Sequence, residues 1–136
     1  MKFRTLNGKE VNININQSKH PIRSKENSKS KFQYEVGQVL IQIYPNYPIL
    51  EEVYILIEHF RIDFMIPKLK LAFECQGKQH DEFNPHFHKH YHNFTKSQER
   101  DQRKLEWCQL NDFDLIYIPY GCTEKKEIKK LIDLEV

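Results

Sequence analysis

The sequence is poor in cysteine, in net charge and in long apolar runs. Its three cysteines among 136 residues are too few and too far apart for a disulfide framework, so we expect free thiols in a reducing cytosol. Lysine plus arginine number 21 against 19 aspartate plus glutamate, and the resulting charge of +2 excludes the broad basic field of a histone-like protein. No apolar run approaches the ~18 residues of a membrane span, and the amino terminus lacks a signal-peptide core. These absences predict a soluble cytoplasmic protein with no membrane partner.

What the chain does contain is enough apolar material for one folded domain. Hydrophobic residues make up 39% and aromatic residues 12% of the 136 residues, which supports a real core at a length typical of one domain. We therefore expect a single domain over residues 1–136. Residues 1–29 form a hairpin and a basic connector, residues 30–121 the core, and residues 122–136 a carboxyl-terminal helix.

The amino-terminal part predicts a hairpin, a connector and a helix. Residues 1–16 alternate between apolar and polar around an Asn7-Gly8 pair, a strong hairpin signal. From Gln17 to Ser30 apolar residues are scarce and lysines accumulate, as is typical of a solvated connector. Ser30 can cap a helix that ends before Pro45, because apolar residues then recur at three- and four-residue steps.

Three runs rich in β-branched and aromatic residues follow, at Leu50–Ile57, Arg61–Ile66 and Leu69–Cys75. They lie close enough together to form an antiparallel meander, with a turn at Pro67-Lys68. The next stretch, Gly77–Phe94, contains five histidines and no helical period. A loop of that length in a compact domain is usually functional.

The remaining elements predict a helix, a strand and a helix. Ser97 opens a helix with Trp107 most simply in the core, and a buried strand follows at Leu115–Pro119. The tail from Thr123 has the spacing of an amphipathic helix. The fold class is thus α/β, a mixed four-stranded sheet with helices on both sides. The helix from Ser97 has an apolar side made of Leu105, Trp107, Cys108 and Leu110, and a polar side made of Glu99, Arg100, Asp101, Arg103 and Lys104.

Two carboxylates occupy unusual places in the predicted strands. Asp63 and Glu74 each stand within apolar residues of a core strand, and an unpaired buried carboxylate is costly. The alternatives without a functional site are that Asp63 forms an ion pair with Arg61 or Lys70, and that Glu74 faces water. We favour a hard divalent cation such as Mg²⁺, which takes carboxylate and carbonyl oxygens and keeps several waters.

Asp63 followed by Glu74-Cys75-Gln76 on the next strand resembles the PD-(D/E)xK nuclease motif, with Gln76 where most members carry lysine. Together with Glu35 on the first helix, the stretch Gly77–His80 and the pair Arg100-Asp101, the order of motifs is most similar to the EDxHD-type homing endonucleases of phages. These are relatives of the very short patch repair (Vsr) endonucleases. The resemblance covers residues 30–121, and the Cys and His spacing of the Vsr structural zinc is absent.

The resemblance implies a restriction-endonuclease-like core and a Mg²⁺ site, for which Mn²⁺ is a substitute. It makes Asp63 the principal metal ligand, Glu74 the second carboxylate and the Cys75 carbonyl a third oxygen, while Glu35 holds a metal-bound water.

In the same way the resemblance gives His80 the proton transfer and Asp101 the task of fixing its tautomer. Gln76 belongs to the same catalytic set. On sequence alone, Glu35 and Asp101 are ordinary charged residues of helices, and His80 is one of several histidines in its loop.

Basic residues in the connector, in the histidine-rich loop and on the following helix are suited to DNA phosphates. They are Lys19, Arg23, Lys25, Lys29, Lys31, Lys78, His86, His88, Lys89, Lys96, Arg100 and Arg103. The alternation of histidines from His86 to His92 would project four imidazoles to one side of an extended segment. We favour a phosphate-facing flap there over a transition-metal site.

The sequence therefore predicts a Mg²⁺-dependent endonuclease of double-stranded DNA, with a freestanding phage homing endonuclease, acting in the infected cell, as the favoured biology. A repair or restriction-like nuclease of the same fold is the alternative, and a non-catalytic nucleic-acid-binding module or a histidine-rich metal-binding protein are alternatives of another class. One set of site residues holds one scissile phosphate, so a homodimer is the economical way to cut both strands.

Overall fold

The computed structural model describes residues 1–77 and 91–136. Over these residues the chain is a mixed α/β protein with a two-stranded hairpin, a four-stranded sheet and three helices. This confirms the predicted α/β class, with its four-stranded sheet and amino-terminal hairpin.

The amino-terminal hairpin forms as the Asn7-Gly8 pair predicts. Strands β1 (Lys2–Arg4) and β2 (Glu10–Asn12) are antiparallel, and Gly8 has a φ of 90°, which the turn requires and glycine adopts without strain. Phe3 is buried, and its ring lies 5.1 Å from that of Trp107. The hairpin therefore covers part of the core rather than projecting into solvent.

Helix α1 (Lys31–Ile43) begins where the sequence predicts, because the Ser30 hydroxyl accepts a hydrogen bond of 3.0 Å from the Gln33 amide. Gly37 faces the sheet, and a Cβ at this position would lie 3.2 Å from the Phe64 ring. The glycine thus allows a close approach of α1 to the strand that carries Asp63.

The central sheet contains β3 (Leu50–Ile55), β4 (Phe60–Ile66), β5 (Leu71–Cys75) and β6 (Asp114–Ile118), in that spatial order. Strands β3, β4 and β5 form the predicted antiparallel meander, and β6 is parallel to β5. A 3₁₀ turn (Pro67–Leu69) joins β4 to β5.

Helix α2 (Tyr91–Leu110) begins well before the predicted Ser97. The expected loop Gly77–Phe94 is therefore wrong from residue 91 onward, and His92 is helical rather than extended. The sequence of the first turns has no helical apolar period. We attribute their helical conformation to extension of the later, packed turns, because adding residues to an existing helix is more favourable than starting a new one. Leu110 was expected on the apolar side but is 39% exposed.

Two apolar layers enclose the sheet, as predicted. Helices α1 and α3 (Lys125–Glu135) pack on one face, against residues such as Phe64, Phe73 and Ile116. Helix α2 and the hairpin pack on the other face, where Trp107 is 1% exposed. Within the described ranges, no helix has both the length and the apolarity to cross a bilayer.

Candidate active site at the fork of two strands

The candidate site lies where β4 and β5 stop pairing with each other. Their ladder ends at Phe64 opposite Phe73, and the next pair would be Asp63 opposite Glu74. At that position side-chain carboxylates accept the hydrogen bonds of the backbone amides. The Asp63 amide donates to Glu74 Oε2 at 2.8 Å, and the Cys75 amide donates to Asp63 Oδ2 at 2.8 Å. The two carboxylates therefore replace ladder hydrogen bonds and lie next to each other at the fork.

Glu74 is buried and Asp63 is half-buried beside it, and neither of the two alternative interpretations of these acids holds. Glu74 is 8% exposed and does not face water. Asp63 makes no ion pair with Arg61 or Lys70, because the first lies over the Tyr54 ring at 5.5 Å and the second over the Phe113 ring at 5.0 Å. Neither of these two cations therefore lies at the acids.

Lys104 provides a positive charge next to the two acids, and the sequence pattern did not predict this role. Its Nζ lies 2.6 Å from Glu74 Oε1, and the two side chains are only 13% and 10% exposed. The assignment of Lys104 to the solvated side of the helix is therefore wrong. The signal was its position four residues before the buried Cys108, which puts both on one face of α2. With lysine absent at Gln76, the ammonium group of the site comes from a helix.

Among the described residues, the site brings two carboxylates together with one ammonium group. Burial, and next the charge of Glu74, raise the pKa of the Asp63 carboxyl well above its usual range. The Cys75 amide and Lys104 act in the opposite direction, and Glu52 adds a further raising effect. Since the opposing donors do not offset the raising effects, a bound cation would stabilise the ionised form of Asp63.

Cys75 and Gln76 stand at the end of β5. Burial and the nearby carboxylates raise the pKa of the Cys75 thiol, so this thiol is not an activated nucleophile. The Gln76 amide donates to the Ile118 carbonyl at 2.9 Å, which continues the β5–β6 pairing past the fork. The backbone between Glu74 and Gln76 is therefore held in place beside the two acids.

Asp101 lies on the same side of the sheet as Glu74. Tyr117 on β6 is the register partner of Glu74, and burial, followed by the charges of Asp101 and Glu74, raises its pKa to about 12. Both acids thus act on one phenol from α2 and β5. Tyr117 is a second residue that the sequence pattern did not reveal, since nothing in its strand distinguishes it from a core tyrosine.

Glu35 has a different environment from the one that the resemblance implies. It forms an ion pair of 3.9 Å with Lys31, four residues earlier, and borders a shallow pocket with Tyr120 and Thr123. Among the hydrogen bonds and ion pairs of residues 1–77 and 96–136, none joins Glu35 to Asp63 or Glu74. Its assignment to a metal-bound water stays a prediction.

Several predicted residues lie outside the described residues. They are Lys78, His80, His86, His88 and Lys89.

The remaining basic residues differ in their exposure. Lys96 and Arg100 are exposed on α2. Arg103 is half-buried, because its guanidinium donates to the Glu58 carbonyl and lies 5.8 Å from the Phe60 ring, so it has a packing role that the sequence pattern did not indicate. The connector residues Lys19, Arg23, Lys25 and Lys29 are all exposed, as is Lys31 at the start of α1.

The donor chemistry of the fork fits Mg²⁺. Asp63, Glu74 and the Cys75 carbonyl offer oxygen only, and Mg²⁺ is commonly held by one or two carboxylates with water and substrate phosphate in the other positions. In the part of the chain that the structure describes, no three or more His, Cys, Asp and Glu side chains are placed to hold a metal together. The oxygen donors of the fork thus match the ligand preference of Mg²⁺.

The chain is similar to viral proteins that have no function in their names. It is 45% identical over 62 residues to "Uncharacterized protein 307L" of Invertebrate iridescent virus 6, and 37% identical over 62 residues to "Uncharacterized protein 033L" of Invertebrate iridescent virus 3. Each match covers 46% of this chain and 32% of the relative, so the chain spans about a third of those proteins. No family model and no solved structure matches it.

Proposed function

We propose that this chain is a Mg²⁺-dependent DNA endonuclease with a restriction-endonuclease-like core, of the EDxHD type within the PD-(D/E)xK superfamily. The observation that carries the proposal is the fork, where Asp63 and Glu74 exchange hydrogen bonds with each other's strands. Buried acids with excess negative charge at the end of two diverging strands are typical of a functional site rather than of a core.

The chemistry is in-line attack of water on a phosphodiester. Mg²⁺ would be held by Asp63, Glu74 and the Cys75 carbonyl, and when bound it stabilises the charge that develops on the phosphate. Lys104 fixes Glu74 through its 2.6 Å contact. His80 takes the proton from water, and Asp101 orients its imidazole.

The substrate is double-stranded DNA. The exposed lysines of the connector would follow the phosphate backbone, and the connector is held against the sheet because the Arg23 amide donates to Glu51 at 2.7 Å. Lys96 and Arg100 on α2 provide a second exposed basic element. Such contacts make affinity fall steeply with salt.

The test is incubation of purified protein with supercoiled duplex DNA, with Mg²⁺ and with EDTA. We expect relaxed or linear product only with the metal, and none from Asp63→Asn. The asparagine oxygen can still accept the Cys75 amide, so the fold persists while a metal-ligand charge is lost. Asp133→Asn on the exposed side of α3 is the matched control. Cleavage by Asp63→Asn at the wild-type rate contradicts the proposal, and DNA binding without any cleavage favours the non-catalytic module.

The same reaction tests the homodimer. One fork holds one phosphate, so a monomer nicks, and a double-strand break requires either two protomers or two successive visits. Two protomers acting together should give linear product without prior accumulation of nicked circles. Nicked circles that never become linear at high protein concentration contradict the dimer.

A further inference from the structure

Glu52 is a third acid beside the fork, and neither the motif resemblance nor the proposed function uses it. The residue is 6% exposed, and its Oε2 is buried without a hydrogen-bond partner among the described residues. A buried, unsatisfied carboxylate oxygen is unfavourable. A donor from outside the described protein atoms would therefore stabilise it.

The backbone conformation of Glu52 is strained, and it changes the face of the sheet to which the side chains of β3 point. Its φ is 53°, a left-handed conformation that is uncommon for a residue with a side chain. Glu51, before it, hydrogen-bonds to Gln33 of α1, whereas Val53, after it, packs in the α2-side core. The strand thus changes face at Glu52, and strain of this kind persists only when its surroundings maintain it.

The register of the sheet places Glu52 directly across from Asp63. Glu51 pairs with Phe64 and Val53 pairs with Ile62, so Glu52 and Asp63 are opposite each other between these pairs, where side chains are neighbours. Glu52 also acts electrostatically on both Asp63 and Cys75. Asp63 therefore lies between two acids, Glu52 on β3 and Glu74 on β5.

We propose that Glu52 is an outer carboxylate of the cation site, a positioning residue whose buried oxygen accepts a hydrogen bond from the hydration water of a divalent cation held by Asp63 and Glu74. This inference rests on the proposed function. Contact through water follows from the geometry, since no three acidic side chains of the described residues are arranged to bind one metal directly. A water molecule bound to the cation can donate the hydrogen bond that the unpaired carboxylate oxygen lacks.

The test is Mg²⁺ binding to the purified protein, measured by calorimetry and by the cation-induced shift in melting temperature. Glu52→Gln should weaken Mg²⁺ binding about 10- to 100-fold, as the loss of an outer-shell partner usually does. It should also raise the melting temperature of the metal-free protein, because a buried charge without a partner is removed.

The matched control is Glu51→Gln, a change of the same kind at the adjacent buried residue. Both Glu51 carboxylate oxygens already accept hydrogen bonds, from the Arg23 amide and from Gln33 Nε2. We expect this variant to melt at a lower temperature and to bind Mg²⁺ as the wild type does. Glu52→Asn is a second variant, because asparagine tolerates the left-handed backbone and its shorter side chain withdraws the oxygen.

The possible failures are distinguishable. Wild-type Mg²⁺ affinity in both Glu52 variants overturns the role of Glu52 and leaves the fork as a cation site, provided that Asp63→Asn has lost binding. A higher melting temperature of Glu52→Gln without a change in affinity also overturns it. Absence of Mg²⁺ binding to the wild type overturns both this inference and the proposed magnesium site.

Discussion

Both faces of the sheet bury acidic side chains, but the two faces satisfy them differently. On the α1 face, Glu51 accepts hydrogen bonds of 2.7 and 2.9 Å from a backbone amide and a side-chain amide, both neutral. On the α2 face, Glu74 and Asp63 are balanced by one ammonium group and two backbone amides. In the first arrangement both carboxylate oxygens accept a hydrogen bond from a neutral donor, whereas in the second two adjacent carboxylates share one ammonium group.

Under the proposed function, the difference separates an acid that holds the fold together from acids that bind a cation. Glu51 connects the basic connector and α1 to β3, so its hydrogen bonds are used entirely for structure. At the fork two carboxylates lie next to each other, and burial together with the charge of Glu74 raises the pKa of Asp63. If this contrast is correct, the two faces respond differently to mutation, to Mg²⁺ and to pH.

The largest effect is expected at Lys104. Lys104→Met leaves Glu74 buried without its cation, and breaking a buried ion pair on one side costs about 3–5 kcal/mol of unfolding free energy. Urea denaturation of the metal-free protein measures this, with the exposed Lys96→Met as the control, for which we expect less than about 0.5 kcal/mol. A small loss at Lys104, equal to that of the control, would show that the fork is already balanced without it.

Next in size is Glu51→Ala. This change leaves the Arg23 amide and Gln33 Nε2 without their acceptor, and unsatisfied buried donors cost roughly 1–3 kcal/mol. The same denaturation series in saturating Mg²⁺ sharpens the contrast, because we expect the loss at Glu51 to be unchanged by the cation. A loss that Mg²⁺ restores would place Glu51 in the cation site.

A smaller effect concerns pH. The Asp63 pKa is raised from its ordinary value of 3.8 by burial, by Glu74 and by Glu52, against the Cys75 amide and Lys104, so the folded protein holds this proton more tightly than the unfolded chain does. The stability that this provides is present below about pH 4 and is lost as pH rises through the raised value. Stability curves of metal-free wild type and Asp63→Asn should therefore diverge above about pH 4 in favour of the variant. Parallel curves would argue that Asp63 carries no excess charge.

The smallest effect is expected at Tyr117. Burial, Asp101 and Glu74 raise its pKa to about 12, so Tyr117→Phe should remove one phenol that ionises near that pH in an absorbance titration. At neutral pH its removal should change stability by less than about 1 kcal/mol. An unaltered high-pH transition would place the phenol away from the two acids.

The elements with local signals are predictable from the sequence. Ser30 caps α1 because its hydroxyl serves an amide three residues on, and Asn7-Gly8 forms the turn because glycine accepts a positive φ. Asp63 and Glu74 are recognisable because burying a carboxylate within an apolar strand is unfavourable unless a partner or a ligand compensates its charge. Each of these signals lies within a few residues of sequence.

The residues that complete the site depend on distant contacts. Lys104 follows Arg103 in a charged run, and its burial depends on the orientation of α2 against a glutamate 30 residues earlier. Glu52 has the same side chain as Glu51, and only the φ of 53° separates their environments. The residue type does not determine which of the two glutamates lies at the fork, because the sheet register and the packing on each face determine it.

The exchange of hydrogen bonds at the fork also provides two spectroscopic probes. The amides of Asp63 and Cys75 donate to the carboxylates that would hold a cation. Any redistribution of charge on those oxygens therefore alters the chemical shift and the solvent-exchange rate of two backbone protons. The occupancy of the site can then be followed by nuclear magnetic resonance at single residues, without substrate and without turnover.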